Sequence, residues 1–454
     1  MSPRNMSKIV PVFFFVLMVF LMFPATMGGV AQGLSIKMFT ILSPNSSIFP
    51  KNLTLFEKHQ KLTEISKARA LDLIMTTSSS ETLVPNAISS PVKHAYSDFY
   101  YIEMYVGTPP QKTNLALDTG STLTWVQCEG CKSCFELSMP NFSIRRSTTS
   151  RPMPDDHPLC VPPNLGPGTK GQNCVYGLFY YDRSSTYGPF GFDTFTFLSE
   201  QGQLAIPNVA FGWGLFNKVN FNDYFHGHDN PIGGILGLGR GHPTGILQQL
   251  NQITLRRFSY CLPPQFEAQS LLHFGEDAQI GGPSVGSTPI LGGPDDYYFM
   301  KLDAISLNGQ RLQIDPSLFM AGGKGMAVDS GSPYSHIVAE AFKVLKQAVV
   351  DYFHNMYGWQ PMTQKSKTGF DLCYQNIPTV FTSPSVTLHF EGADFVLHKP
   401  TLFQAFEHHN EFCMTILSMD QSDGLNILGA AQQVNYRFLF DVAALRLSFS
   451  PENC

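Results

Sequence analysis

From residue 99 onward the apolar positions fall in short runs broken by turn residues, and rarely at helical spacing. Phe99-Tyr100-Tyr101-Ile102-Glu103-Met104-Tyr105-Val106 is aromatic and β-branched, and Gly107-Thr108-Pro109-Pro110 ends it. Such runs predict strands, because branched and aromatic side chains suit a pleated, half-buried surface while Gly and Pro interrupt the ladder. Tyr297-Tyr298-Phe299-Met300-Lys301-Leu302 echoes that first run and opens a second series. One stretch departs from the texture. Ala339 to His354 carries Phe342, Leu345, Val349 and Phe353 at helical spacing, which predicts an amphipathic helix.

The first hundred residues read differently. Arg4 and Lys8 precede an apolar run, Ile9 to Phe23, and small residues follow at Ala25, Gly28, Gly29 and Ala31. This is the form of a signal peptide, residues 1–31. The run falls short of the roughly 20 residues that cross a bilayer, so no stable membrane anchor is expected. Residues 32–95 read as a propeptide, with a basic, helix-compatible Lys58–Leu71 and a Ser/Thr-rich linker from Thr76 to Thr82. Its positive charges are expected to pair with cleft carboxylates near neutral pH. Two lobes follow, 96–285 and 286–454.

Composition supports a β-rich protein outside the cell. Only 14% of the 454 residues are charged, against roughly 25% in average soluble chains. The chain holds 37 Phe and 17 Tyr, with a net charge of −5 and no basic block, which excludes nucleic acid as a partner. In an exported chain the nine cysteines are candidates for disulfides. Nine is odd, so one thiol is free or pairs with another chain; a monomer is expected, with dimerisation left open. Asn45, Asn52 and Asn141 begin glycosylation triplets.

Two tetrapeptides carry the chemistry. Asp118-Thr119-Gly120-Ser121 follows the apolar Asn114-Leu115-Ala116-Leu117, and Asp329-Ser330-Gly331-Ser332 follows Met326-Ala327-Val328. One Asp-x-Gly is ordinary turn chemistry. Two, each ending a strand, point to a duplicated lobe that brings one carboxylate from each half to a shared cleft. Carboxylates held together do not both ionise easily, an arrangement for which aspartic proteases are the standing example. Such a pair activates a water and protonates a leaving amine. Gly120 and Gly331 permit close approach, and Ser121 and Ser332 offer hydroxyls to the outer carboxylate oxygens. Thr119 and Ser330 are placed to bond across the pair.

With these residues the chain resembles the pepsin-like aspartic endopeptidases, most closely the plant nepenthesin-type branch. The matching stretches include Tyr105 to Gln111, Leu117 to Ser121 through Trp125-Val126-Gln127-Cys128, Gly234-Ile235-Leu236-Gly237-Leu238-Gly239, Ala327 to Ser332, Asn426-Ile427-Leu428-Gly429 and the tail from Gln432 to Cys454. The resemblance implies an all-β, bilobal fold with the active site between the lobes. It implies catalysis by Asp118 and Asp329, no cofactor and no metal. Protein or peptide substrates, acid pH and a secreted or vacuolar location follow from it. Substrate would lie against Gly120, Gly331, Ser332 and a flap tyrosine, Tyr180, whose usual bonding partner is Trp125. The resemblance pairs Cys261 with Cys454 and Cys373 with Cys413, leaving two bonds and a spare thiol among Cys128, Cys131, Cys134, Cys160 and Cys174. The flap departs from the family pattern: Tyr181-Asp182-Arg183-Ser184 follows Tyr180 where the family has glycines. A catalytically silent binding or inhibitor protein is the rival reading.

Other signals are weaker. Cys128-x-x-Cys131-x-x-Cys134 suggests zinc only in a reducing compartment. His226-Gly227-His228-Asp229 reads as a polar loop. Gly233 to Gly239 lacks the lysine and context of a nucleotide loop. Ser335-His336 lacks the elbow of a serine hydrolase.

Overall fold

A computed structural model of the chain describes residues 34–40, 100–168, 173–180, 184–199, 202–219, 230–264, 270–282, 284–292, 297–377, 380–406, 409–419 and 424–454. The signal peptide, Lys58–Leu71, Asn45, Asn52, His226–Asp229 and the flap residues Tyr181, Asp182 and Arg183 lie outside these. Among the described residues no helix is long and apolar enough to cross a membrane.

The first strands are β1 (Leu34–Thr40), β2 (Tyr100–Val106), β3 (Gln111–Asp118) and β4 (Trp125–Gln127). β2 and β3 form an antiparallel pair from Tyr101 opposite Ala116 to Val106 opposite Gln111, and β3 delivers Asp118 at its last residue. The architecture is all-β. A 16-stranded sheet runs from the second half of the chain into the first, beginning with Gly286–Pro289, Arg446–Pro451, Tyr436–Asp441, Arg257–Cys261, Ser270–Phe274 and β1. This portion joins the two lobes. Phe258 and Phe440 stack across it at 4.5 Å, and the Cys261–Cys454 disulfide fastens the last residue to it.

β1 falls within the segment read as a propeptide. It pairs with Ser270–Phe274 on one side, from Leu34 opposite Phe274 to Met38 opposite Ser270, and with β2 on the other. Ile36 and Met38 are fully buried while Ser35 is half-buried, so this short segment obeys a two-residue period.

The second half carries its own five-stranded sheet, ordered Phe299–Met300, Met326–Asp329, Asn426–Gly429, Ser335–Val338 and Ile416–Met419. The helix spans Ala339–Tyr357 and buries Phe342, Leu345, Val349 and Phe353. It continues a few residues past the expected His354 because Gly358, at φ 71°, closes it in the left-handed conformation that glycine adopts freely.

The duplication is clearest in the strands that bear the aspartates. β3 pairs in parallel with Gly234–Gly237, placing Gly237 opposite Asp118. Met326–Asp329 pairs in parallel with Asn426–Gly429, placing Gly429 opposite Asp329. A Cβ on Gly237 would collide with the Thr122 backbone, and one on Gly429 with the Tyr334 backbone. Each aspartate turn therefore folds back over a residue that must lack a side chain.

Candidate active site

Both aspartates end buried strands, Asp118 at 3% exposure and Asp329 at 0%. Their turns are bonded alike. Gly120 N donates to Asp118 Oδ1 at 2.9 Å, and Gly331 N donates to Asp329 Oδ1 at 2.8 Å. Ser121 Oγ donates to Asp118 Oδ2, and Ser332 Oγ donates to Asp329 Oδ2 at 2.8 Å. Each carboxylate is thus fixed at both oxygens by its own tetrapeptide.

The turns also hold each other. Thr119 Oγ1 donates to Val328 O at 3.0 Å and accepts from Ser330 N at 2.9 Å. Reciprocally, Ser330 Oγ donates to Leu117 O at 2.9 Å and accepts from Thr119 N at 3.1 Å. Each hydroxyl satisfies one donor and one acceptor of the opposite turn, which leaves no buried backbone group of that set unpaired. A Cβ on Gly331 would strike Asp118 Oδ1 and come within 3.1 Å of Asp329 Oδ1. The two inner carboxylate oxygens therefore both lie close to one point beside Gly331.

Cys174–Phe179 and Ser185–Ser199 pair as a hairpin, with Phe179 opposite Ser185. Tyr180 N donates to Ser184 O at 2.7 Å, and Trp125 Nε1 donates to Tyr180 Oη at 2.9 Å. The tyrosine is held by the strand just past the Asp118 turn. Beneath the hairpin lies a buried polar chain that the sequence reading missed. Tyr176 Oη meets Thr186 Oγ1 at 2.6 Å, Thr186 Oγ1 donates to Asn217 Oδ1 at 2.7 Å, and Asn217 Nδ2 donates to Gln127 Oε1 at 3.1 Å. Gln127 sits in the Trp125–Cys128 stretch that carried the resemblance, but its type alone does not announce this partner.

The cysteines divide by region. Cys131 bonds Cys134, Cys160 bonds Cys174 at the foot of the hairpin, Cys261 bonds Cys454, and Cys373 bonds Cys413. Cys373 and Cys413 also lie beside Glu411, but their bond to each other removes them as thiolate ligands. Cys128 is free and buried, and burial pushes its thiol far above its ordinary range. Asn141 is half-buried, with Oδ1 accepting from Gln127 Nε2 at 2.9 Å.

Tyr260, also unforeseen, stands at the lobe junction. Its hydroxyl donates to Gln433 Oε1 at 2.6 Å, and Gln433 Nε2 donates to Leu428 O at 2.8 Å. Burial, with the charge of Asp329 adding to it, holds this phenol well above its usual range. It remains a donor at any working pH.

Comparison with known proteins agrees with this architecture. Residues 100–276 match the family model for the xylanase inhibitor N-terminal region, and residues 297–451 match that for the xylanase inhibitor C-terminal region. The chain is 29% identical to aspartic proteinase nepenthesin-1 of Nepenthes gracilis, over 89% of this chain and 88% of that protein. It is 31% identical to aspartyl protease family protein 2 of Arabidopsis thaliana, over 82% of this chain and 74% of that protein. Among solved structures, edgp superposes with a TM-score of 0.63 at 18% identity, covering 79% of this chain and 93% of that one. Soybean basic 7S globulin gives 0.60 at 18% identity, covering 78% and 93%. These structural likenesses speak to the fold.

Proposed function

Because the chain belongs to the plant pepsin-like aspartic protease family, we propose that it is an endopeptidase that hydrolyses peptide bonds at acid pH through a water held between Asp118 and Asp329. The observation that carries this reading is the convergence of both inner carboxylate oxygens on one point beside Gly331. One carboxylate takes the proton of the attacking water while the other, protonated, polarises the scissile carbonyl. Which aspartate holds the proton belongs to the pair and not to either residue. No covalent intermediate forms. As the tetrahedral intermediate collapses, the shared proton passes to the leaving amine, and the pair returns to its starting charge.

The surrounding groups have matching roles. Ser121, Ser332 and the Gly120 and Gly331 amides hold the carboxyl planes, and Thr119 and Ser330 fix one turn against the other. Tyr180, anchored by Trp125, closes over an extended peptide and favours hydrophobic side chains beside the cut. The leader-like N-terminus supports export, to the cell wall space or the vacuole, as a zymogen with residues 32–95 as its propeptide. The acting form would be a monomer.

A second reading keeps the fold and loses turnover. It is favoured by one observation, that the matching family models are named for xylanase inhibitors. The two aspartate turns, complete in every bond described above, weigh for the enzyme. A quenched protein substrate, tested after acid treatment from about pH 3 to 7 with and without pepstatin, separates the readings. Cleavage at acid pH, blocked by pepstatin and absent in Asp329→Asn, is the expected result. A folded, processed protein that cuts nothing would favour the silent binder.

A further inference from the structure

The exchange between Thr119 and Ser330 is not the only hydrogen-bonded route between the two turns. A second route passes through one side chain. Leu238 N donates to Asp118 O at 2.8 Å, and Tyr298 Oη donates to Leu238 O at 2.5 Å. Val328 N, adjacent to Asp329, donates to Tyr298 O at 3.0 Å. Leu238, Tyr298 and Val328 are all buried. The Tyr298 ring packs edge-on to Phe440 at 4.7 Å and to Phe258 at 6.0 Å, both in the sheet that joins the lobes. Tyr298 is thus held at three points: Leu238, itself bonded to Asp118, by its hydroxyl, the strand ending in Asp329 by its carbonyl, and the joining sheet by its ring.

Its counterpart in the duplicated half is Tyr100. Tyr100 precedes Tyr101, which pairs with Ala116, just as Tyr298 precedes Phe299, which pairs with Ala327. The Tyr100 hydroxyl donates to Pro263 O at 3.0 Å, just past the Arg257–Cys261 strand. Both halves keep a buried tyrosine, and that of the second sends its hydroxyl to Leu238, which is bonded to Asp118.

We propose that Tyr298 is a positioning residue that sets the separation of the two catalytic carboxyl groups. A further attachment, at backbone positions other than those that Thr119 and Ser330 hold, adds resistance to displacement of one turn against the other. Misplacing reacting groups by even about 1 Å costs on the order of a hundred-fold in rate, so a small loosening is measurable. The kinetic side of this inference rests on the proposed endopeptidase function; the bridge itself does not.

The test compares Tyr298→Phe with Tyr436→Phe. Tyr436 lies in the joining sheet, but its Oη donates to Val396 O at 2.8 Å, in a four-stranded sheet that holds neither aspartate, so both variants lose a phenol-to-carbonyl bond. Tyr298→Phe is expected to lower kcat about ten-fold with KM within about two-fold, and to shift the pH limits of kcat, because the splitting of the pair's two protonation steps depends on their spacing. Amide hydrogen exchange at Leu238 and Val328 should quicken. Tyr436→Phe should leave kcat, the pH profile and those two amides unchanged. Wild-type kinetics in Tyr298→Phe, or an equal change in Tyr436→Phe, overturns the proposal. If the wild-type protein cuts nothing, the enzyme reading fails by itself; unchanged exchange at Leu238 and Val328 would then overturn the bridge, and faster exchange would support it.

Discussion

The Asp118 and Asp329 turns make the same bonds in the same order, yet their surroundings share little. Each carboxylate accepts from the glycine amide two residues on and the serine hydroxyl three residues on, and each turn lies over a glycine of a parallel apolar strand. Around Asp118 the chain adds the hairpin with Tyr180, a polar network from Tyr176 to Gln127 and an insert with two disulfides. Around Asp329 it adds an aromatic contact, Tyr334 against Phe370 at 5.0 Å, and the long helix. The difference separates two demands. On the proposed endopeptidase reading, a shared proton calls for two matched turns, and a directional peptide calls for unequal walls around them.

That contrast can be broken by substitution. Asp118→Asn and Asp329→Asn should each lower kcat/KM by at least about a thousand-fold, and by similar amounts, because either removes the shared proton site. Loss of only a few-fold in one of them, measured on the same quenched substrate, would end the equivalence. Gly331→Ala should come next, at about a hundred-fold in kcat, since its Cβ would push against both inner oxygens. Thr119→Val and Ser330→Ala each strand a buried backbone donor and acceptor of the opposite turn. Each should lower unfolding stability by about 1–3 kcal/mol in a denaturant titration, and the two losses should match.

Outside the turns the effects should be one-sided and smaller. Trp125→Phe removes the bond to Tyr180, so kcat/KM should fall several-fold, for about 1 kcal/mol, alongside a loss of stability from the space a fully buried indole leaves. The smallest effect concerns Cys128. Burial raises its folded pKa above the ordinary 9.0, so its contribution is full below pH 9.0 and is lost as pH climbs beyond it. Between about pH 8 and 10 the urea midpoint of the wild type should fall more than that of Cys128→Ala. Equal slopes would show that this thiol does not titrate on unfolding in that window.

The strand texture, the helix and the duplicated turns were legible in sequence because each is written locally. Aromatic and β-branched runs mark strands, Phe342 to Phe353 mark a helix face, and Asp-x-Gly-Ser marks a turn. What the sequence hid is pairing at a distance. Gln433 and Tyr260 are 173 residues apart, and neither names the other. Leu238 and Tyr298, 60 residues apart, meet only because the lobes close on a shared sheet. The flap departure was visible as missing glycines, but residues 181–183 lie outside the described residues. β1 was legible in principle from the Ile36 and Met38 alternation. Its place at the head of a segment set apart by basic composition masked it.

The position of β1 bears on what a protease nick would do. Five of its residues are in register with Ser270–Phe274 and three with β2, so it is an inner strand with neighbours on both sides. Cutting the chain anywhere between Thr40 and Tyr100 would sever a covalent link but leave both ladders intact. The clipped protein would migrate as one species under native conditions and as two pieces after denaturation. Extracting the small piece would bare two sheet edges at once, so the nicked form should hold it until the joining sheet itself melts.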